Sequence, residues 1–247
     1  METKKLNVGL VIALPVKDSD QPLSELEKFT LDQKADIILF PEDHIYSEKL
    51  PDLQEIARKR KKWIISGMED RDTGGEKFKQ AVVVNPRGDI TGRHQKTSLT
   101  YDELSKHFSH GEAIQVVETD FGLVGVTICY EVHFAEVARI YALQGAKVIF
   151  NPIGTGMWHE TQFQQWTSVG RTRASENGIF CVGCTHQNGA IPMAYAYGPD
   201  GGCLVETRDV NRMVMVSLDL SQCFGMFLEH RQPQLYKKLI EERKAAK

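Results

Sequence analysis

The sequence predicts an α/β protein built on mixed β-sheets, and three observations carry that reading. Short apolar, β-branched runs recur along the chain, with helical patterns between many of them. The runs at 37–40, 122–128 and 148–150 are nearly continuously apolar, as strands covered on both faces are. Two turn signatures, "NPRGD" at 85–89 and "GPDGG" at 198–202, each join strand-like runs as hairpins do, which a purely parallel sheet does not allow.

The elements follow in order. A first strand at 6–13 is succeeded by a helix at 22–33 and by the strand "IILF" at 37–40, which Pro41 stops. A helix at 53–61 leads to a strand at 63–67. The first hairpin starts with a strand at 80–85, and its second strand runs into "GRHQKTSLT". Strands at 116–119 and 122–128 precede a helix at 134–144, in which Val137, Ile140 and Tyr141 mark a buried face. A strand at 148–151, a helix at 160–177 and a strand at 179–184 repeat the alternation. Strands at 195–197 and 214–218 complete it. With no linker, repeat or low-complexity segment, a single domain over 1–247 is expected.

Composition narrows the class. Of 247 residues, 41% are hydrophobic and 26% charged, which suits a packed core rather than disorder. A net charge of -3 gives no global basic character for nucleic acid, and the basic runs at 58–62 and 243–247 read as solvated ends. The apolar run near the N-terminus is about half as long as a membrane span and lacks a small-residue cleavage site, so neither a membrane partner nor a targeting segment is expected. Five scattered cysteines, an odd number, argue for a reducing, cytoplasmic setting.

Several strands end on chemistry. "ADIILFPEDH" delivers Glu42 from a dry strand, "VGVTICYEVHF" delivers Cys129, and the hairpin between them leads to Lys96. Ligands bind at such strand ends in open α/β sheets. A free thiol is only a few per cent ionised near neutral pH and needs a base. Glu42 is placed to take its proton, Lys96 to steady an oxyanion beside a backbone N–H, and the product would be a thioester that water hydrolyses. Each residue alone has an ordinary structural reading. The ordered set lifts the hypothesis.

The stretches that carry these residues resemble a known family. "ILFPE", "GRHQKTSL", "GVTICYEVHFAEVARIYALQGAKVIFNP" and "RTRASENGIFCVGCTHQNG" are similar, in this order, to the nitrilase superfamily of carbon–nitrogen hydrolases. The resemblance implies a four-layer α-β-β-α sandwich with two mixed sheets, and homodimers or larger homo-oligomers. It implies a Glu-Lys-Cys triad that falls on Glu42, Lys96 and Cys129, and an oxyanion N–H at Tyr130. A second glutamate falls on Glu103, with Asp102 and Glu112 nearby. The chain departs from the family pattern at His94-Gln95, at Met193-Ala194-Tyr195 and at His133-Phe134-Ala135-Glu136.

Other residues are weighed beside these. "GTGMWHE" at 154–160 offers Met157 and Trp158 as a pocket wall or as ordinary packing. Glu131 reads as an orienting residue at the pocket, and Asn151 as a bond to the substrate loop or a cap on its strand. Cys181 and Cys184 lie on one strand and point to opposite faces, and His107 with His110 lacks a third ligand, so no metal and no cofactor are expected. The expected activity is hydrolysis of a non-peptide C–N bond in a small amide, releasing ammonia or an amine. The rivals are an N-carbamoyl amine or β-ureido acid hydrolase, with His133, Arg139 or Arg173 anchoring the far end of its substrate, and a catalytically vestigial binding or assembly protein. A third rival, thiol–disulfide chemistry at Cys181 and Cys184, predicts that activity is lost when both are replaced.

Overall fold

The computed structural model describes residues 5–16, 20–71, 74–209 and 212–236; the basic run at 243–247 lies outside them. In chain order these residues form β1 (Lys5–Ile12), α1 (Gln21–Phe29), β2 (Ile37–Leu39), β3 (Ile45–Tyr46), α2 (Leu50–Arg60) and β4 (Trp63–Arg71). Next come β5 (Lys77–Val84), β6 (Ile90–Gln95), α3 (Tyr101–Ser105), β7 (Val117–Thr119), β8 (Gly122–Val126) and α4 (Ala135–Leu143). The chain continues with β9 (Val148–Ile153), α5 (Glu160–Asn177), β10 (Phe180–Thr185), β11 (Ala194–Tyr197), β12 (Cys203–Thr207), β13 (Arg212–Asp219) and α6 (Met226–Glu229).

The strands make two mixed sheets. The first runs β13-β1-β2-β4-β5-β6, with β3 added to β4 beyond the end of β2. The second runs β12-β11-β10-β9-β8-β7. In each, a parallel centre (β1-β2-β4; β8-β9-β10) is flanked by antiparallel strands. Side-chain alternation then fixes the layers. Leu6, Val8, Leu10 and Ile12 of β1, with Ile37 and Leu39 of β2, meet Val124, Val126, Phe150 and Val182 of the other sheet. The intervening Val11, Ile38 and Ile64 face Leu26 and Phe29 of α1 and Leu53 and Ala57 of α2. On the far side, Ile149, Cys181 and Tyr195 pack under Val137 and Tyr141 of α4 and Phe163 and Trp166 of α5. The result is the α-β-β-α sandwich, with Cys184 in the middle layer and Cys181 under the helices.

The boundaries moved where local chemistry overrode periodicity. The first helix stops at Phe29 rather than at 33, because the Thr30 hydroxyl takes the Leu26 carbonyl at 2.6 Å. The second begins at Leu50, three positions ahead of the expected 53, since a proline fits its first turn. In α4 the buried face is Val137, Ala138, Tyr141 and Ala142, and Ile140 is exposed. The strand expected to reach 128 ends at Val126; Cys129, at φ 50, has left the pleat. Helix α3 went unforeseen because a capping box nucleates it, not an apolar stripe.

The inter-sheet layer is the largest source of stability, so it gives the first prediction. Leu10 is fully buried there, and Leu10→Ala should lower the unfolding free energy by about 3 kcal/mol in chemical denaturation. Leu31→Ala, on an exposed loop, should change it by less than about 0.5 kcal/mol.

Candidate active site

Glu42 lies three residues past the end of β2 and is 4% exposed. The turn that carries it packs on the neighbouring strand: Gly67 of β4 donates its N–H to Pro41, and a Cβ at Gly67 would sit 2.3 Å from the Glu42 Cα. A Cβ at Gly154, just after β9, would sit 2.6 Å from Glu42 Oε2. Bare backbone on two sides is what lets this carboxylate lie between the sheets. From the second sheet, His186 after β10 sets its ring nitrogens against the carbonyls of Glu42 (2.9 Å) and Leu14 (3.0 Å).

Lys96 follows β6 and is fully buried. Its ammonium donates to Glu42 Oε1 at 2.9 Å and to Glu103 Oε1 at 2.5 Å. Burial opposes the charge, but the carboxylates of Glu42 and Glu103 outweigh it and hold the ammonium above its ordinary pKa. Glu103 serves two partners. Its other oxygen accepts the Thr100 N–H at 2.7 Å in the capping box that starts α3. Of the three acids after Lys96 considered from sequence, Glu103 is therefore the one that reaches it; Asp102 pairs with Lys106 in solvent, and Glu112 is exposed.

Cys129 opens a tight 3₁₀ turn, Cys129–His133, from a left-handed backbone conformation. Its thiol lies near enough to the Glu42 carboxylate and the Gly154 N–H for both to act on its titration. Burial first, then the charge of Glu42, push the thiol above its ordinary pKa, against Lys96 and that N–H. The resting sulfur is thus protonated, with a carboxylate beside it. The N–H of Tyr130 is among the first in the turn, which helical geometry leaves without an internal partner. The Tyr130 ring is exposed and packs on His133 and Phe134.

Glu131 is fully buried and joins the two segments. Oε1 accepts the Thr97 N–H and hydroxyl, both at 2.6 Å, while Oε2 accepts the Ile128 N–H at 2.7 Å and meets His94 Nε2 at 2.7 Å. Burial opposes its charge, yet His94 and these donors outweigh it and hold the carboxyl below its ordinary pKa. Asn151 likewise supports the turn: Nδ2 donates to the carbonyls of Thr127 (2.8 Å) and Cys129 (3.2 Å), and Oδ1 accepts the Tyr195 hydroxyl at 2.9 Å. Neither side chain lines open space, because both are buried and spent on the frame.

Other candidates separate. Met157 is a core residue under the helices, and Trp158 is 61% exposed at the start of α5. His133 meets Trp166 edge to face, and burial, then Arg173, lower its pKa. Arg173 is committed to the carbonyls of Val132 and His133 and to Glu176. Among the described residues, no group of three or more His, Cys, Asp or Glu is arranged to hold a metal, and no helix is long and apolar enough to cross a membrane. Sequence reasoning missed Gly67, His186, Thr97 and the pairing of His94 with Tyr141. Only His94-Gln95, odd beside its family, carried a signal.

Asp43 supplies a pH test. It sits at φ 54, bonds Lys79 at 2.5 Å and has its pKa pushed up to about 6 by burial and by Glu42, from an ordinary 3.8. The charge therefore costs folded-state stability above about pH 6. That cost fades as the folded form takes up a proton, and it is gone below about pH 4, where both states are neutral. Asn tolerates the left-handed backbone. Asp43→Asn should raise the melting temperature at pH 7, with the gain gone near pH 4.

Comparison with known proteins places this arrangement. The chloroplastic omega-amidase of Arabidopsis thaliana is 26% identical over an alignment 273 positions long, gaps included, that takes in 94% of this chain and 71% of that protein. The crystal structure of a carbon-nitrogen hydrolase from Helicobacter pylori G27 matches with a TM-score of 0.90 at 18% identity, over 98% of this chain and all of that one. A mutant of the amidase from Nesterenkonia sp. AN1, with the acetamide moiety of fluoroacetamide added at its active-site cysteine, matches with a TM-score of 0.81 at 20% identity, over 96% of each chain. At such identities the solved structures attest the fold. Residues 22–224 match the carbon-nitrogen hydrolase family, and the chain belongs to it, within the nitrilase superfamily.

Proposed function

We propose that this carbon–nitrogen hydrolase cleaves small amides through a thioester on Cys129, with Glu42 as general base and Lys96 beside the oxyanion. One observation carries the assignment: the buried Cys129 thiol stands beside the Glu42 carboxylate, which a buried ammonium holds in place. As sulfur attacks the amide carbon, its proton passes to Glu42, and the carbonyl electrons move to oxygen beside the Tyr130 N–H and Lys96. When the intermediate collapses, Glu42 returns the proton to the departing nitrogen, which leaves as ammonia or an amine. Water then gives a proton to Glu42 and attacks the thioester, and sulfur leaves as the thiol with that proton. Glu103 is the second acceptor of the Lys96 ammonium and fixes its direction.

An amide fits better than a carbamoyl compound with an anionic far end, because Arg173, a candidate anchor, is engaged by backbone carbonyls and Glu176. The omega-amidase and amidase relatives point the same way. A homodimer belongs to this reading, supported by exposed Ile140 and Leu143 on α4 and Met226 and Phe227 on α6. The five free cysteines suit a cytoplasmic setting.

Ammonia release from a panel of small amides, ω-amides, carbamoyl amines and nitriles, run beside Cys129→Ala, tests the proposal. Turnover of an amide should fall at least about 10³-fold in the variant. Equal rates in the two proteins would exclude Cys129 as nucleophile. A carbamoyl compound as sole substrate would overturn the amide preference.

A further inference from the structure

Two buried side chains outside the Glu42, Lys96 and Cys129 set converge on Glu131. His94 lies on β6, two residues before Lys96, and Tyr141 lies on α4 against β8, the strand that leads to Cys129. The Tyr141 hydroxyl has one hydrogen and donates it to the Val126 carbonyl at 2.6 Å. The hydroxyl also meets His94 Nδ1, at 3.1 Å, while His94 Nε2 meets the Glu131 carboxylate at 2.7 Å. The Tyr141 ring reaches this place only because residue 125 is glycine; a Cβ there would lie 2.5 Å from the ring.

We propose that His94 and Tyr141 are positioning residues, which through Glu131 hold the Lys96 segment and the Cys129 turn at their working separation. The proposal rests on the catalytic roles given above to Lys96 and Cys129. Its geometry is a closed frame. On one sheet the frame touches His94 and Thr97, either side of Lys96; on the other it touches Val126 and Ile128, just before Cys129, and Glu131, just after it. His94 is 4% exposed and Glu131 fully buried, so solvent does not weaken the contacts. None of the frame's hydrogen bonds goes to Glu42 or to the Cys129 thiol. Its loss should therefore move groups by fractions of an ångström rather than remove one, and a misplacement of about 1 Å is enough for a 10²-fold loss of rate.

The test uses Tyr141→Phe, which removes one oxygen and keeps the ring, and His94→Gln, each read for kcat, KM and the rate at which iodoacetamide alkylates Cys129. In proteins that melt cooperatively, kcat should fall about 10-fold for Tyr141→Phe and between about 10- and 100-fold for His94→Gln. KM should stay within about threefold, and alkylation should slow in step with kcat. The double variant should be no worse than His94→Gln by more than about threefold, because one frame is broken only once. Native kcat in both folded variants, or a loss expressed only in KM, overturns the proposal. Should His94→Gln fail to fold, Tyr141→Phe alone decides by the same criteria. Cys129→Ala separates the two levels: activity surviving in it sinks the underlying catalytic reading, whereas an inactive Cys129→Ala beside fully active Tyr141→Phe and His94→Gln sinks only the positioning role.

Discussion

The buried ammonium of Lys96 is the constraint to which the rest of the site answers. Moving such a charge out of water costs several kcal/mol even after relaxation, and only close, well-directed partners offset it. The chain supplies two carboxylates, Glu42 and Glu103, at 2.9 and 2.5 Å. Each then needs its own scaffold. Glu42 requires a strand end with bare backbone at Gly67 and Gly154, and Glu103 requires a helix started by Thr100. With two carboxylates on one cation, the cluster holds an excess negative charge next to the Cys129 thiol. Burial, and then the charge of Glu42, keep the sulfur protonated at rest and leave a neighbouring oxygen to receive the proton.

The site is a seam. Glu42 and Lys96 leave the ends of β2 and β6 in one sheet; Cys129 and Gly154 leave β8 and β9 in the other. Two histidines cross it in opposite directions, His94 from the first sheet to Glu131 and His186 from the second to the Glu42 carbonyl. The dry inter-sheet layer brings the two halves near each other. The polar crossings then fix their register, a finer task than apolar contact performs, because packing tolerates small slides that hydrogen bonds do not.

The architecture was legible from sequence because its strands are buried on both faces and its helices alternate with them, and the two patterns leave different periods. The positions of Glu42, Lys96 and Cys129 were legible because each stands where an apolar run breaks into polar residues. What stayed hidden was set by contacts distant in sequence. Glu103 stood out from Asp102 and Glu112 only by resemblance, since the capping box that aims it reads like any polar stretch. Asn151 and Glu131 looked like pocket residues because they sit at strand ends, yet their polar atoms turn to the backbone of the Cys129 turn and the Lys96 segment. Ile140 looked buried by spacing and is not, because the face of α4 that meets the sheet is narrower than its apolar composition.

The seam also dictates when function arrives during folding. The Lys96–Glu42 contact closes 54 residues of chain, and the His94–Glu131 contact 37. Loops of that size carry an entropic cost that local helices and hairpins do not, so such contacts form late. Each sheet can gather most of its own strand pairs before the other is in place. The groups proposed as catalytic, divided between the two, are not brought together until the sheets dock. Until the sheets dock, the Cys129 thiol stands apart from Glu42 and Lys96, and the proposed reactive centre is complete only once the two sheets meet.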